Sequence, residues 1–311
     1  DLKIRVFHNV CSHRGFKLLD KPCTLKNVIR CPYHSWSYDF KGKLVATPHI
    51  GGLNIHSSSK FDKNQSNLKE VKTKVWMDII FVNINSNEID FEEYIKPLEQ
   101  RWSSFINKDD QNLLIHSKDY GNFDLEVKSN WKFAIENYCE SYHLPTIHPE
   151  LNKVSNINDH YHIQGLPNRF AGQGSKKYEQ PVKGNRKFKT FKNWDKNSLK
   201  CSEYVALFPN VMLGLHLDHF YVFWLEPLAT NKTKEHMQIY YIGQDSANGE
   251  DLKELRKDNA RFWKDVMLED INAIEGMQEG RSSPVYNGGN FSPVMDQPTH
   301  QFHKWIANNL I

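Results

Sequence analysis

No apolar stretch in these 311 residues approaches the roughly 20 needed to span a bilayer as a helix. No excess of one charge stands out either: 40 Lys and Arg against 37 Asp and Glu leave +3, which gives no overall case for nucleic acid or a membrane surface. Cysteine is scarce. Cys11, Cys23, Cys31, Cys139 and Cys201 form an odd, scattered set, so a disulfide framework is not expected and a reducing, cytoplasmic setting is. There is no internal repeat, no low-complexity tract and no Gly-rich dinucleotide loop. The chain also lacks a starting Met and a signal peptide. It opens at Asp1 inside a strand-like run, Leu-Lys-Ile-Arg-Val-Phe, so we expect a fragment without its native N-terminus.

What is present is a chain that can build a sizeable core, with 39% apolar and 13% aromatic residues. From Asp1 to about residue 86 the pattern is short strands and turns: the opening run, Val28 to Arg30, Ser37 to Phe40 and Val75 to Ile84. Leu53 to Lys74 is polar and reads as a surface loop. Beyond residue 87, Phe91 to Phe105 carries apolar residues at helical spacing, and strands are expected near Ile115 to Val127. Val205 to Leu217, Phe220 to Leu228 and Glu235 to Ile242 read as three strands, with turns at Asp218-His219 and Asn231-Lys232. Glu250 to Glu279 is the strongest helical pattern. Between them, Gln173 to Lys200 holds nine Lys or Arg and only Glu179 and Asp195 as acids. It reads as a solvated, mobile loop; the functional alternatives are a lid over a site and a docking patch for an acidic redox partner.

Two constellations carry chemistry. The first is Cys11-Ser12-His13, then seventeen intervening residues, then Cys31-Pro32-Tyr33-His34. A structural zinc site would more often use a C-x₂₋₄-C hairpin. Here each loop offers one sulfur and one nitrogen, the set a Rieske [2Fe–2S] centre needs, with two Cys on one iron and two His on the other. The second begins at His143 and His148, five apart around Pro145, which is expected to end a helix near Leu144. Two nearby His are weak evidence alone. A third group is Asp270, whose neighbours at three, four and seven residues (Trp263, Val266, Met267, Ala273, Ile274 and Met277) are all apolar. A carboxylate on a buried stripe is costly unless it is paired or binds a metal. A buried ion pair is one reading; a 2-His-1-carboxylate site for non-haem Fe(II) is the other.

Cys11-Ser12-His13-Arg14-Gly15 and Cys31-Pro32-Tyr33-His34-Ser35-Trp36 resemble the two cluster loops of Rieske non-haem iron oxygenases, in the aromatic-ring-hydroxylating dioxygenase family. Trp131 to Pro149 resembles the iron-binding motif of their catalytic (alpha) subunits, and Glu269-Asp270 with Gln278-Glu279-Gly280 their late ligand segment. Ser35 departs from a more usual Gly, which is harmless if the backbone there does not need φ > 0. Phe16 and Tyr33 stand near the places where respiratory Rieske proteins carry an extra disulfide, which favours the oxygenase branch.

The resemblance implies an α+β chain: a small all-β Rieske domain (1–86), then a helix-grip catalytic domain (87–311), in which an antiparallel sheet grips a long C-terminal helix. It implies a [2Fe–2S] cluster on Cys11, His13, Cys31 and His34, and a mononuclear Fe(II) on His143, His148 and Asp270. It gives Glu140 the role of bridging the iron His to a cluster His, with His34 as the cluster side, usually between subunits of a homotrimer. It implies hydroxylation of a small organic substrate with O₂ and electrons from an NAD(P)H-dependent reductase or a ferredoxin, either as ring dihydroxylation or as monooxygenation or demethylation. A Rieske electron carrier is the alternative; it would need the first constellation only. The Glu140 spacing looks more like members acting on quaternary amines. His216 and His219 read as structural or surface residues, and Cys139 and Cys201 as thiols outside the ligand sets.

Overall fold

The structure, a computed structural model, describes residues 1–85, 89–179 and 186–310, and divides into two compact units, Asp1–Phe91 and Glu92–Ile311. The expected boundary at 86 falls outside the described residues.

The first unit is built from short strands: β1 (Val6–Phe7), β2 (Ile29–Arg30), β3 (Ser37–Tyr38), β4 (Leu44–Ala46), β5 (Glu70–Trp76) and β6 (Ile79–Asn83). They form two antiparallel three-stranded sheets, β1-β5-β6 and β2-β3-β4. The expected strand over Val75 to Ile84 is a hairpin instead. Met77 and Asp78 both take positive φ, 48° and 65°, and turn the chain tightly between Trp76 and Ile79. Residues with side chains rarely adopt that conformation, so the sequence carries no Gly or Asn to announce the turn.

The second unit runs α1 (Phe91–Trp102), α2 (Lys108–Asn112), β7 (Leu114–His116), β8 (Asn122–Val127), α3 (Trp131–Tyr138), α4 (Leu144–Ile147), α5 (Pro149–Val154), β9 (His160–Gln164), β10 (Phe170–Ser175), β11 (Ser202–Leu207), β12 (Val211–Leu215), β13 (His219–Ala229), β14 (Lys232–Ile242), α6 (Gly243–Asn248), α7 (Lys253–Arg281) and α8 (Gln297–Leu310). Its eight-stranded antiparallel sheet has the order β7-β14-β13-β12-β11-β10-β9, with β8 also paired to β14. Strand β14 shows why it stays in register: Thr233, Glu235, Met237 and Ile239 are buried and alternate with less buried neighbours. Helix α7 places Trp263, Val266, Met267 and Ile274 in one core with Ile135, Tyr221, Phe223 and Phe302. Each such side chain contributes about 1.5–3 kcal/mol of burial, so the 29-residue helix is held along most of its length.

Two expectations for this unit need correction. Val205 to Leu217 is not one strand: Leu207, Phe208-Pro209 (cis) and Val211 make it a hairpin, because Pro cannot continue the ladder. Gln173 to Lys200 is not simply a solvated loop. It starts in β10, and Phe188, Phe191 and Trp194 are buried anchors between the lysines; its centre, 180–185, lies outside the described residues. Among the described residues no helix is long and apolar enough to cross a membrane.

Candidate functional site

The two cluster loops are built alike. In the first, the Cys11 amide donates to Phe16 O (2.8 Å) and the Gly15 amide donates back to Cys11 O (3.0 Å); in the second, Cys31 donates to Trp36 O (2.8 Å) and Ser35 to Cys31 O (3.1 Å). Gly15 has φ +73° and Ser35 has φ +58°. The second loop does therefore require the left-handed backbone, and Ser35 adopts it despite its side chain. Both loops present a Cys that is only 2% exposed and a free thiol. The His13 and His34 rings lie 4.8 Å apart, and His13 stacks on Trp36 at 4.5 Å. His34 Nδ1 is buried with no hydrogen-bond partner. Burial, then the neighbouring His34 and Arg14, lowers the His13 pKa, which keeps its ring neutral and able to ligate. An orphaned buried nitrogen beside two buried thiols fits a bound cluster.

Tyr38 supports the first loop. Its hydroxyl lies 3.2 Å from Cys11 Sγ and accepts from the Ser12 amide at 3.0 Å. Burial pushes its phenol up to about 12, so it remains a proton donor near the sulfur. Hydrogen bonds to cluster sulfurs are one way a protein sets the reduction potential.

In the second unit, Asn130 caps α3 by accepting from the Lys132 amide. The helix ends at Tyr138, earlier than expected. Pro145 does not terminate it; it sits in the first turn of α4, where a missing N–H costs nothing. Likewise Pro149 opens α5. His143 and His148 thus flank the single short helix α4, and their rings come to 5.1 Å. From α7, Asp270 Oδ1 lies 2.9 Å from His148 Nε2 and 3.6 Å from His143 Nε2. One ligand atom from each residue falls within 4.8 Å of the others, so the three could hold a metal ion.

The outer contacts orient this trio. His143 Nδ1 lies 2.6 Å from Glu140 Oε1, and His148 Nδ1 lies 2.8 Å from Glu269 Oε2. Each carboxylate holds the Nδ1 proton and leaves Nε2 as a lone pair facing Asp270. Asp270 Oδ1 is buried and accepts no well-directed hydrogen bond. Among the described residues Glu140, Glu269 and Asp270 have no ion pair with Lys or Arg. Two lone pairs and an unpartnered carboxylate oxygen converging in a net negative site fit a cation. Burial disfavours charge on His148, but Asp270 and then Glu269 outweigh it and raise its pKa.

Sequence reasoning named the trio but missed its surroundings. Glu269 entered only as Asp270's neighbour in the late ligand segment, with no role of its own. Glu235 was missed altogether: burial, then Asp270, pushes its carboxyl up to about 8. A lone acid among the alternating apolar positions of β14 was the available signal. Gln173 Nε2 donates to Glu140 O at 2.8 Å while its Oε1 lies 2.6 Å from His160 Nδ1, which fixes the backbone beneath Glu140. The cavity beside the trio has walls of Tyr138, Tyr204, Tyr221 and Trp263. Gly214, paired across the sheet with Tyr221, leaves room for that ring; a Cβ there would lie 2.2 Å from it.

A chain with a two-Cys, two-His pair of loops and a separate buried His-His-Asp trio under an antiparallel sheet is of the class of Rieske-type oxygenases. Residues 1–57 match the Rieske [2Fe-2S] domain and residues 116–310 the ring hydroxylating alpha subunit (catalytic domain), and the chain belongs to that alpha-subunit family. It is an oxidoreductase whose cofactors are a Rieske [2Fe–2S] cluster and a mononuclear iron. It is 27% identical over 294 residues to the carnitine monooxygenase oxygenase subunit of Acinetobacter pittii (strain PHEA-2), covering 93% of this chain and 72% of that one. It is 24% identical over 320 residues to the chloroplastic choline monooxygenase of Spinacia oleracea, covering 99% and 65%. The fold is that of a solved quaternary ammonium Rieske monooxygenase (TM-score 0.74, 23% identity, 98% and 78% covered) and of naphthalene 1,2-dioxygenase from Rhodococcus sp. (TM-score 0.69, 15% identity, 98% and 80% covered).

Proposed function

We propose that this chain monooxygenates a small methylated ammonium compound at an iron held by His143, His148 and Asp270, with a cluster on Cys11, His13, Cys31 and His34 as its electron store. The observation that carries this reading is the convergence of the trio within 4.8 Å beside aromatic walls. The faces of Tyr138, Tyr204, Tyr221 and Trp263 attract a cation that has no hydrogen-bond donor to offer. Burial raises the pKa of these phenols, so they stay neutral and carry no competing charge. The relatives that act as carnitine and choline monooxygenases point to the same substrate class.

The reduced iron, when bound, supplies activation of O₂. The residues of the chain do the rest. Glu140 and Glu269 fix the tautomers of His143 and His148, and the trio leaves positions open for O₂. The aromatic walls exclude water and orient a methyl group toward the trio. Glu140 is assigned as the bridging carboxylate: Oε1 is fixed on His143, and we place its other contact on His34 of a neighbouring copy in a homotrimer. Electrons enter residues 1–86 from an NAD(P)H-dependent reductase or a ferredoxin, and chemistry takes place in residues 87–311.

Iron counting and turnover test this. The wild type should hold about three irons per chain and Asp270→Ala about two, with the cluster's visible spectrum intact. Supplied with a reductase, the wild type should couple O₂ consumption to product from a trimethylammonium substrate, and Asp270→Ala should not. Full iron content and activity in the variant would overturn the ligand set; turnover of an aromatic acid alone would overturn the substrate class.

A further inference from the structure

Behind the aromatic walls lies a pair of stacked imidazoles that differ in one respect. His216 and His219 are parallel at 4.3 Å, both fully buried. His219 has both ring nitrogens engaged: Nδ1 lies 2.7 Å from Asp218 Oδ1, and Nε2 accepts from the Trp263 indole N–H at 2.9 Å. His216 is 1% exposed, and among the described residues neither of its ring nitrogens has a partner. The Tyr178 hydroxyl is also buried and unpartnered, and its ring sits 4.6 Å from that of His216. Three orphaned polar atoms thus gather in one place. Such atoms are costly to bury and normally mark a bound water or ligand.

The position is informative. His216 packs on Trp263, Tyr204 and Tyr221, at 4.9, 5.5 and 5.7 Å between ring centroids, and all three line the metal-side cavity. Trp263 precedes Asp270 by seven residues on α7, roughly 10 Å along the axis. The cavity itself is about 40 Å³ in this structure, so a substrate enters it only as the aromatic walls give way. His216 and Tyr178 pack against Trp263, so a substrate that displaces this wall meets these two polar groups. Burial, then His219, keeps the His216 ring neutral, and among the described residues no Lys or Arg bonds to either residue, so the fit is to an uncharged oxygen.

We propose that His216 and Tyr178 form a distal subsite that hydrogen-bonds a hydroxyl or carbonyl oxygen of the substrate, on the far side of Trp263 from the metal trio. This rests on the cavity being the substrate pocket, as proposed above, but not on the substrate being a cation.

Four probes with a six-carbon linker separate the two ideas. One end is trimethylammonium or its uncharged isostere tert-butyl; the other is hydroxyl or methyl. Dissociation constants are measured by calorimetry on the iron-loaded protein under anaerobic conditions. The subsite predicts that hydroxyl tails bind about tenfold more tightly than methyl tails with either head. In Tyr178→Phe and His216→Phe that ratio should fall toward one, while the methyl-tailed probes keep their affinity. The cation reading is judged separately, by trimethylammonium against tert-butyl. Equal affinity for the two tails in the wild type, no binding by either, or an unchanged ratio in both variants would overturn the subsite and leave those atoms to a resident water.

Discussion

Ser35 shows how much a single residue can hold against its own preference. It stands where its twin loop has Gly15, in the same hydrogen-bonded turn, and takes φ +58° with a side chain attached. Left-handed backbone disfavours a non-Gly residue by roughly 1–2 kcal/mol, offset in part by the freedom Gly adds to the unfolded chain. Ser35→Gly should therefore raise the stability of the holoprotein by about 1 kcal/mol. A thermal melt followed at the cluster's visible absorbance would show a higher midpoint; an unchanged or lower one would mean that the Ser35 side chain supplies something the backbone argument ignores. At this scale the candidate ligands could be picked out because each set lies in short local segments or at a helical period. Cys11 and His13 are two apart, and Asp270 sits on one stripe of one helix. Tyr178, His216 and Glu235 could not, since what surrounds them is decided by strand pairing and by α7, which comes from elsewhere in the chain.

At the scale of elements, three helices meet on one carboxylate. Glu136 of α3 is buried and takes Arg281 from the end of α7, at 2.5 Å, and lies 3.1 Å from His303 of α8. Burial alone would raise its pKa, but His303 and Arg281 outweigh that and lower it. A depressed folded-state pKa gives stability that is complete above the unfolded value and is lost as pH falls through the folded one. Glu136→Gln should thus cost about 2 kcal/mol at pH 7. The gap between variant and wild type should narrow only as pH falls beneath the ordinary glutamate range and through the lowered folded-state value, where the wild-type carboxyl is protonated as well. Urea titrations at pH 7 and well beneath the ordinary glutamate range measure this, and a gap of equal size at both would show that charge is not what Glu136 contributes. The long elements α1, α7 and β14 were legible from periodicity. The β5–β6 and β11–β12 hairpins were not. Their turns depend on positive φ at Met77 and Asp78, and on a proline inside an apolar run, which disguise two strands as one.

For the whole molecule, the proposed path from the cluster of one copy to the iron of the next makes a prediction that no single chain can satisfy. A Cys31→Ser chain should lack the cluster, and an Asp270→Ala chain the single iron. Each should be inactive alone. Co-expressed with different tags and purified as mixed trimers, they should recover about a third of wild-type turnover, because one of the three neighbouring pairs in a closed mixed ring joins an intact donor to an intact acceptor. No recovery in a verified mixed assembly would place donor and acceptor in the same chain. The α+β class and the order of the two units could be anticipated from the motifs, whereas the eight-strand order needed the fold itself. That order has a consequence of its own. The proposed metal ligands stand on α7 and the α3–α5 segment, as do Trp263 and Tyr138, while Tyr204 and Tyr221 stand on β11 and β13. Half of the aromatic wall therefore belongs to a layer that holds none of the trio, and substitutions at those two strand positions can reshape the pocket while the His-His-Asp arrangement stays as it is.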